Sequence, residues 1–282
     1  MPELPEVQTI VNDLNKLLRG YVIYDVRLLT NYKVFPDKET FVKTIINKPI
    51  IGVSRVAKNI IIDLGQSMYL GIHLAMTGQI LVGNDGNKQP NWTRIVLRLK
   101  SQTDTKILYY TDMRMFGKTT VMNDSQLDDL KNRYGQEPIG QHANPENFHK
   151  QLTSKRTSIK NALLDQTVIS GLGNIYATDA LFIAKIHPET PTQKINLAIA
   201  TKLFNAAREI LLEGIKHRGS TLKDRMYVDI YGKEGTHQNY FRVYGKEQCP
   251  NCSSKIEVKK VAGRGTYFCP NCQSIDGQKR LL

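Results

Sequence analysis

Ser170-Gly171-Leu172-Gly173-Asn174-Ile175-Tyr176-Ala177 interrupts a stretch, Thr157 to Ala184, whose apolar residues otherwise recur at helical spacing. Two glycines in three residues break that spacing. The stretch therefore predicts two helices joined by a tight turn, with Asn174 opening the second. Downstream, Ile199, Leu203, Ala206, Ile210, Leu211 and Ile215 keep a period near 3.6, so Leu197 to Lys216 predicts a further helix. The second half of the chain is helical.

Moving toward the N-terminus, Asn123 to Ser154 is polar and irregular, with Pro138, Pro145 and several glycines and asparagines, which places a domain boundary there. Before it the texture is that of strands: Tyr21 to Leu29, Ile60 to Leu64, Ile95 to Leu99 and Ile107 to Tyr110 are short or alternating apolar runs. Turn-forming clusters separate them, Asn84-Asp85-Gly86-Asn87 being the clearest. A β-sandwich of about a hundred residues is expected. Ahead of it, Val7, Ile10, Val11, Leu14, Leu17 and Leu18 line one face of a helix that ends at Gly20, with Pro5 in the first turn, where a missing N–H costs nothing. The fold class is α+β. Domains are expected at 1–122 (helix plus sandwich), 154–245 (helical) and 246–282 (a small terminal hairpin), with 123–153 as linker.

The chain has 282 residues, with 39 Lys and Arg against 26 Asp and Glu, a formal net charge of +13 and a pI near 9.5. A polyanionic partner fits this balance, whether nucleic acid or an anionic membrane surface, although charge also serves solubility alone. The opening Met1-Pro2-Glu3-Leu4-Pro5-Glu6 is not a basic head leading into an apolar stretch, and no apolar run approaches spanning length. A soluble, cytoplasmic protein without a membrane partner is expected.

All four cysteines lie between Cys249 and Cys272. Cys249-Pro250-Asn251-Cys252 and Cys269-Pro270-Asn271-Cys272 are two Cys-x-x-Cys knuckles with 16 residues between them, the spacing of a closed four-thiolate zinc site. Such a site is structural, because no ligand position stays open. Ile256, Val258, Tyr267 and Phe268 flank Ala262-Gly263-Arg264-Gly265, which predicts a hairpin whose tip carries Arg264. A segment of about 25 residues cannot bury enough surface to fold alone, so zinc supplies most of its stability. A zinc ribbon that only caps the fold or binds a protein is the competing interpretation of this motif.

Taken together, Pro2-Glu3-Leu4-Pro5-Glu6-Val7, the Ser170 to Ala177 stretch and the terminal Cys-x-x-Cys hairpin resemble formamidopyrimidine-DNA glycosylase, and the likeness runs from residue 2 to about Gln273. The resemblance implies an N-terminal helix and β-sandwich, then a helix–two-turn–helix element and a zinc hairpin, acting as a monomer on double-stranded DNA that contains oxidised bases or abasic sites. It also implies one structural Zn2+ and association with the nucleoid.

The resemblance makes Pro2 the nucleophile once Met1 is removed. An α-amino group has a reference pKa of about 7.7 to 8.0, against about 10.4 for lysine, so a useful fraction is unprotonated at neutral pH. By the same resemblance Glu3 is the acid–base carboxylate, Glu6 a second carboxylate close by, and Lys58 reaches the lesion and its flanking phosphates. The ordinary alternative for both glutamates is completion of the helix N-terminus. Flipping a damaged nucleotide leaves a hole in the stack. His73-Leu74-Ala75-Met76-Thr77-Gly78 and Asp112-Met113-Arg114-Met115-Phe116-Gly117 resemble the two family loops that fill it, with Met76, Arg114 and Phe116 in the vacated space. By the same resemblance Lys58, His73, Asn174 and Arg264 pin the bent backbone, Lys58 and Arg264 also counting among the catalytic set.

Three positions depart from the family pattern: Ala75, Met115 and Arg225, where glycine, a second basic residue and an aromatic are usual. The last falls in the loop expected to cover the flipped base. The tail after Gln273 is longer than the family pattern leads one to expect. Two other functions compete: an endonuclease VIII-like glycosylase for oxidised pyrimidines, against which Leu4, Met76 and Arg114 speak, and a non-catalytic zinc-hairpin protein that recognises lesions.

Overall fold

A computed structural model of the chain describes residues 2–274. The expected trimming of Met1 and the tail beyond Ser274 fall outside the described residues. Contacts divide the chain into two compact units, 1–132 with 217–238 and 133–216 with 239–282.

The first unit opens with α1 (Leu4–Leu18), which has Pro5 in its first turn and buries Val7, Ile10, Val11, Leu14 and Leu18. The helix stops where Gly20 turns at φ +88°. After it come β1 (Val22–Leu28), β2 (Val34–Phe35), α2 (Lys38–Ile45), β3 (Gly52–Val56), β4 (Asn59–Asp63), β5 (Met68–His73), β6 (Gly78–Gly83), β7 (Thr93–Lys100), β8 (Thr105–Asp112), β9 (Lys118–Asn123) and α3 (Asp124–Asn132). One sheet runs β1-β7-β8-β6 and the other β2-β9-β5-β4-β3, antiparallel throughout except for the short parallel pair β2–β9. Ile23, Ile95, Leu97, Leu99, Leu108 and Ile80 from the first sheet share one core with Ile60, Ile62, Leu70, Ile72 and Val121 from the second. That shared core is the β-sandwich, and α1 lies along β3, where Asn15 accepts the Val53 N–H at 2.9 Å.

The period of two along β4 explains α3. Ile60 and Ile62 face the sandwich core, so Ile61 points to the opposite face, where Met122 of β9 and Leu127 of α3 cover it. The polar stretch after Asn123, expected to be irregular, thus contains α3 and later α4 (Pro145–Thr153). Each buries too few side chains for a periodic signal: Leu127 in α3, and Phe148 with Leu152 in α4.

Residues 217–238 have no strand or α-helix, yet they belong with the sandwich rather than with the helical segment in which the sequence boundaries placed them. Tyr227 and Ile230 enter the sandwich core, the Val82 N–H donates to the Ile230 carbonyl at 2.8 Å, and Arg218 bridges Asp13 and Asp229.

The second unit holds α4, α5 (Ile159–Leu164), α6 (Asn174–Ala184), α7 (Leu197–Lys216), β10 (Glu257–Val261) and β11 (Arg264–Phe268). α7 has the bounds its periodicity predicted. The break between α5 and α6 spans 165–173, wider than the two-glycine turn alone, and Gln166 braces it by accepting the Gly171 N–H at 3.0 Å and donating to the Leu172 carbonyl at 2.9 Å. Gly171 sits at φ +97°, a conformation that favours glycine. No helix among the described residues is long and apolar enough to cross a membrane.

Candidate active site and nucleic-acid interface

Pro2 and Glu3 precede α1 and are buried, as is Glu6 in its first turn, with Glu3 2% and Glu6 3% exposed. Glu6 ties this end of the chain together. Its Oε2 accepts the Glu3 N–H at 2.7 Å and its Oε1 accepts the Ser220 N–H at 2.8 Å. The helix-completing role and a role in a site are therefore compatible for Glu6, since a carboxylate here satisfies an orphan backbone donor and places negative charge against the helix N-terminus. Gly219, at φ +77°, lets this happen: a Cβ there would lie 2.8 Å from Glu6 Cγ and 3.0 Å from the Tyr227 ring. Only glycine fits without displacing the carboxylate.

Lys58 lies in the two-residue turn between β3 and β4 and is buried. Arg55 stiffens the turn by donating to the Ala57 carbonyl at 2.6 Å. His73 is paired with Asn59 across β4 and β5, its Nδ1 3.1 Å from Asn59 Oδ1. Burial first, then the nearby Lys58 ammonium, pushes the His73 imidazolium below the ordinary value of 6.5. The fold thus binds this proton more weakly than the unfolded chain does. His73 contributes stability fully present above pH about 6.5 and lost as pH falls through its lower folded value. Melting temperatures measured from pH 7.5 to 5 are expected to fall less steeply for His73→Gln than for the parent; equal slopes would remove His73 from the account.

The two candidate insertion loops meet. Leu74 to Gly78 is a tight turn closed by the Gly78 N–H to the Leu74 carbonyl at 2.9 Å, and Met113 to Gly117 follows β8. Met76 and Phe116 are exposed, at 40% and 58%, although residues of these types are usually core. Arg114 lies between them, its guanidinium 4.6 Å from the Phe116 ring centroid and its Nη1 3.4 Å from Met76 Sδ. The structure therefore brings Met76, Arg114 and Phe116 into one exposed cluster. Beneath it, Asp112 is fully buried and accepts the Thr77 hydroxyl at 2.5 Å and the Gly117 N–H at 2.8 Å. The three positions that depart from the family pattern, Ala75, Met115 and Arg225, all have left-handed backbone, φ +51°, +55° and +50°. A side chain there costs roughly 1–2 kcal/mol relative to glycine.

In the second unit Gly173, not Asn174, caps α6; Asn174 is its first residue and its Nδ2 donates to the Gly265 carbonyl of β11 at 3.0 Å. The hairpin turn is Ala262-Gly263, both at positive φ, so Arg264 is the first residue of β11, paired with Val261 and exposed. Lys160, fully buried on α5, was not singled out from the sequence; its ammonium donates to the Asn174 carbonyl at 2.9 Å and to the Thr178 hydroxyl. It joins α5 to the start of α6.

Cys249, Cys252, Cys269 and Cys272 converge, with Sγ separations of 3.8 Å for Cys249–Cys272 and 3.5 Å for both Cys252–Cys269 and Cys252–Cys272. Four sulfurs about 2.3 Å from a tetrahedral zinc stand about 3.8 Å apart, so the set fits one structural zinc. Phe182 of α6, Val243 and Ile256 pack against it, and Asp179 accepts the N–H groups of Arg242, Val243 and Tyr244 at 2.8, 3.0 and 3.0 Å.

Family models place this architecture. The formamidopyrimidine-DNA glycosylase N-terminal domain matches residues 1–119, the H2TH domain of the same glycosylase 134–226, and the zinc finger found in FPG and IleRS 246–275. The chain belongs to the formamidopyrimidine-DNA glycosylase family. It is 37% identical over 280 residues to the formamidopyrimidine-DNA glycosylase of Pelotomaculum thermopropionicum, covering 98% of this chain and 100% of that one. It is 39% identical over 277 residues to that of Streptococcus pyogenes serotype M6, covering 97% and 98%. Among solved structures it resembles a Lactococcus lactis FPG mutant in complex with Fapy-dG containing DNA, with TM-score 0.89, 33% identity, and coverage of 97% of this chain and 100% of that one. The Lactococcus lactis enzyme in complex with abasic-site DNA matches at TM-score 0.88 and 33% identity, with the same coverage.

Within this formamidopyrimidine-DNA glycosylase framework, the sequence singled out Glu6 and Met76 but not the residues that hold them. Ser220 and Gly219 come from a segment more than two hundred positions away from Glu6, and nothing local marks them. Asp112 was visible as the first residue of a loop. Its burial was not.

Proposed function

We propose that this chain is a bifunctional DNA glycosylase and abasic-site lyase of base excision repair, which removes 8-oxoguanine and formamidopyrimidines from duplex DNA. The observation that carries the proposal is the buried Pro2-Glu3-Glu6 start of α1 in a chain that matches glycosylases of this name over its whole length.

Pro2, freed of Met1, attacks C1′ of the damaged nucleotide with its secondary amine. The C1′–N bond breaks and the base departs. Glu3 protonates the opening sugar ring, the amine loses its proton, and the resulting iminium acidifies C2′. Loss of that proton expels the 3′ phosphate, and a second elimination expels the 5′ phosphate, leaving a gap. Glu6 holds the N-terminal turn in place. Lys58 and Arg264 neutralise phosphates of the bent strand and lie closest to the reacting sugar, while His73 and Asn174 hydrogen-bond the backbone. Met76, Arg114 and Phe116 fill the hole left by the flipped nucleotide, and Arg114 presents its fork to the orphaned cytosine. Cys249, Cys252, Cys269 and Cys272 would hold the zinc, which would fix the hairpin that carries Arg264. The enzyme works as a monomer in the cytoplasm, on the nucleoid.

The test is reductive trapping. Protein, a duplex with one 8-oxoguanine opposite cytosine, and borohydride are expected to give a covalent adduct whose attachment maps by peptide mass to residue 2. A duplex bound tightly but never trapped would sink the proposal, as would an adduct at a lysine that persists in a Pro2 variant.

A further inference from the structure

Asp112 is 0% exposed at the end of β8, and its carboxylate reaches beyond the sandwich core to two loops. One carboxylate oxygen accepts the Thr77 hydroxyl at 2.5 Å, and Thr77 Oγ1 in turn accepts the Arg114 N–H at 3.0 Å. The other oxygen accepts the Gly117 N–H at 2.8 Å and lies 3.3 Å from the Tyr110 hydroxyl. One carboxylate thus grips the loop before β6 through Thr77, and the loop after β8 at two points, Arg114 through Thr77 and Gly117 directly. Two loops that are far apart in sequence are locked to a single anion.

The anion is itself held from behind. Tyr32 donates to the Tyr110 hydroxyl at 3.0 Å, and burial pushes both phenols upward, Tyr32 to about 12, so both stay protonated and Tyr110 is a standing donor toward Asp112. The buried Arg94 guanidinium donates to the Asp112 carbonyl at 2.8 Å and supplies the opposite charge. Steric room confirms how closely the pieces fit: a Cβ on Gly117 would lie 1.9 Å from the Tyr110 oxygen, and one on Gly78 2.4 Å from the Leu74 carbonyl.

We propose that Asp112, acting through Thr77, is the positioning residue that presets the Met76, Arg114 and Phe116 cluster in the geometry that enters the duplex, so that insertion costs no loop ordering. The proposal rests on the glycosylase function above. Holding side chains in productive geometry before binding is worth an order of magnitude or more in rate, because a misplacement of about 1 Å can cost 10²-fold. An amide at 112 offers one acceptor oxygen where the carboxylate offers two, and no charge: with its oxygen on the Gly117 N–H, its NH2 faces Thr77, whose hydroxyl must then accept rather than donate.

The experiment compares the parent with Asp112→Asn, Thr77→Val, Thr77→Ser and the Asp112→Asn/Thr77→Val double variant on a duplex carrying 8-oxoguanine, with 2-aminopurine beside the orphaned base as a reporter of insertion. Borohydride trapping by the parent checks the glycosylase function separately; if the parent does not trap, that function fails, whatever the variants do. With trapping intact, Asp112→Asn and Thr77→Val are expected to lose most of the fluorescence change on binding and about 10- to 100-fold in kcat/KM. Thr77→Ser, which keeps the hydroxyl, should recover both, and the double variant should be no worse than Asp112→Asn alone. Should Asp112→Asn fail to fold, Thr77→Val against Thr77→Ser carries the comparison. Full fluorescence amplitude in variants that merely melt earlier would overturn the proposal and leave Asp112 a structural residue.

Discussion

Glu3→Gln is expected to bind lesion duplex about as well as the parent while excising the base 10²- to 10⁴-fold more slowly, the usual range for loss of a positioned acid–base group. The substitution is nearly isosteric and keeps an acceptor oxygen for the Glu6 N–H in the capping box, while the Glu3 N–H still donates to the Glu6 carboxylate. The helix loses one favourable charge near its N-terminus, about 0.3–1 kcal/mol, which shifts melting by a few degrees at most. Single-turnover excision alongside a duplex-binding titration separates the two effects. A variant that excises at the parental rate would leave Glu3 with helix completion as its only role.

The second large effect concerns the metal. Structural zinc contributes about 10–16 kcal/mol in small zinc-finger peptides, far above what β10 and β11 bury for themselves. Chelation, or Cys269→Ser, is expected to unfold the hairpin, release Arg264 and expose Phe182, Val243 and Ile256, which now pack against the cysteines. Duplex binding should fall at least tenfold, and the loss should reverse on adding zinc back to the chelated parent but not to the variant. A zinc-free protein with parental affinity would mean that the hairpin only caps the fold.

The sequence disclosed those parts of the molecule whose determinants are local. α7 is legible because a face repeating at 3.6 needs no distant information, and its bounds coincide with the periodic stretch. The break before α6 shows through Gly171, whose φ a side chain tolerates poorly. The zinc set shows because both knuckles must present two thiolates each to one ion. Conversely, α3 and α4 are hidden by their polarity, since one or two buried side chains establish no period. The parallel β2–β9 pair was equally silent, as it rests on two residues.

The candidate site divides along the same line. Pro2, Glu3, Glu6, Met76, Arg114 and Phe116 were reached through resemblance, and the structure places the first three together and the last three together. The residues that hold these arrangements are Asp112, Thr77, Gly219 and Ser220: Ser220 gives Glu6 its N–H, Gly219 leaves room for that carboxylate, and Asp112 with Thr77 joins two loops through the Gly117 and Arg114 N–H groups. Hydrogen bonds to main chain leave no compositional trace. Lys58 was reached through resemblance as well, and nothing local marks its burial in the turn between β3 and β4.

Segment 217–238 has a consequence for the order in which the protein is made. The strands of the sandwich and α1 are all contained in residues 1–132, so they leave the ribosome long before Tyr227, Ile230 and the Ser220 N–H are synthesised. Synthesis at about 5–20 residues per second leaves an interval of seconds in which the nascent sandwich has an uncovered apolar patch and Glu6 has yet to meet its distant donor. During that interval the N-terminus is present but its surroundings are unfinished. Completion of the turn around Pro2 is therefore a late event in the life of a chain whose first residues it serves.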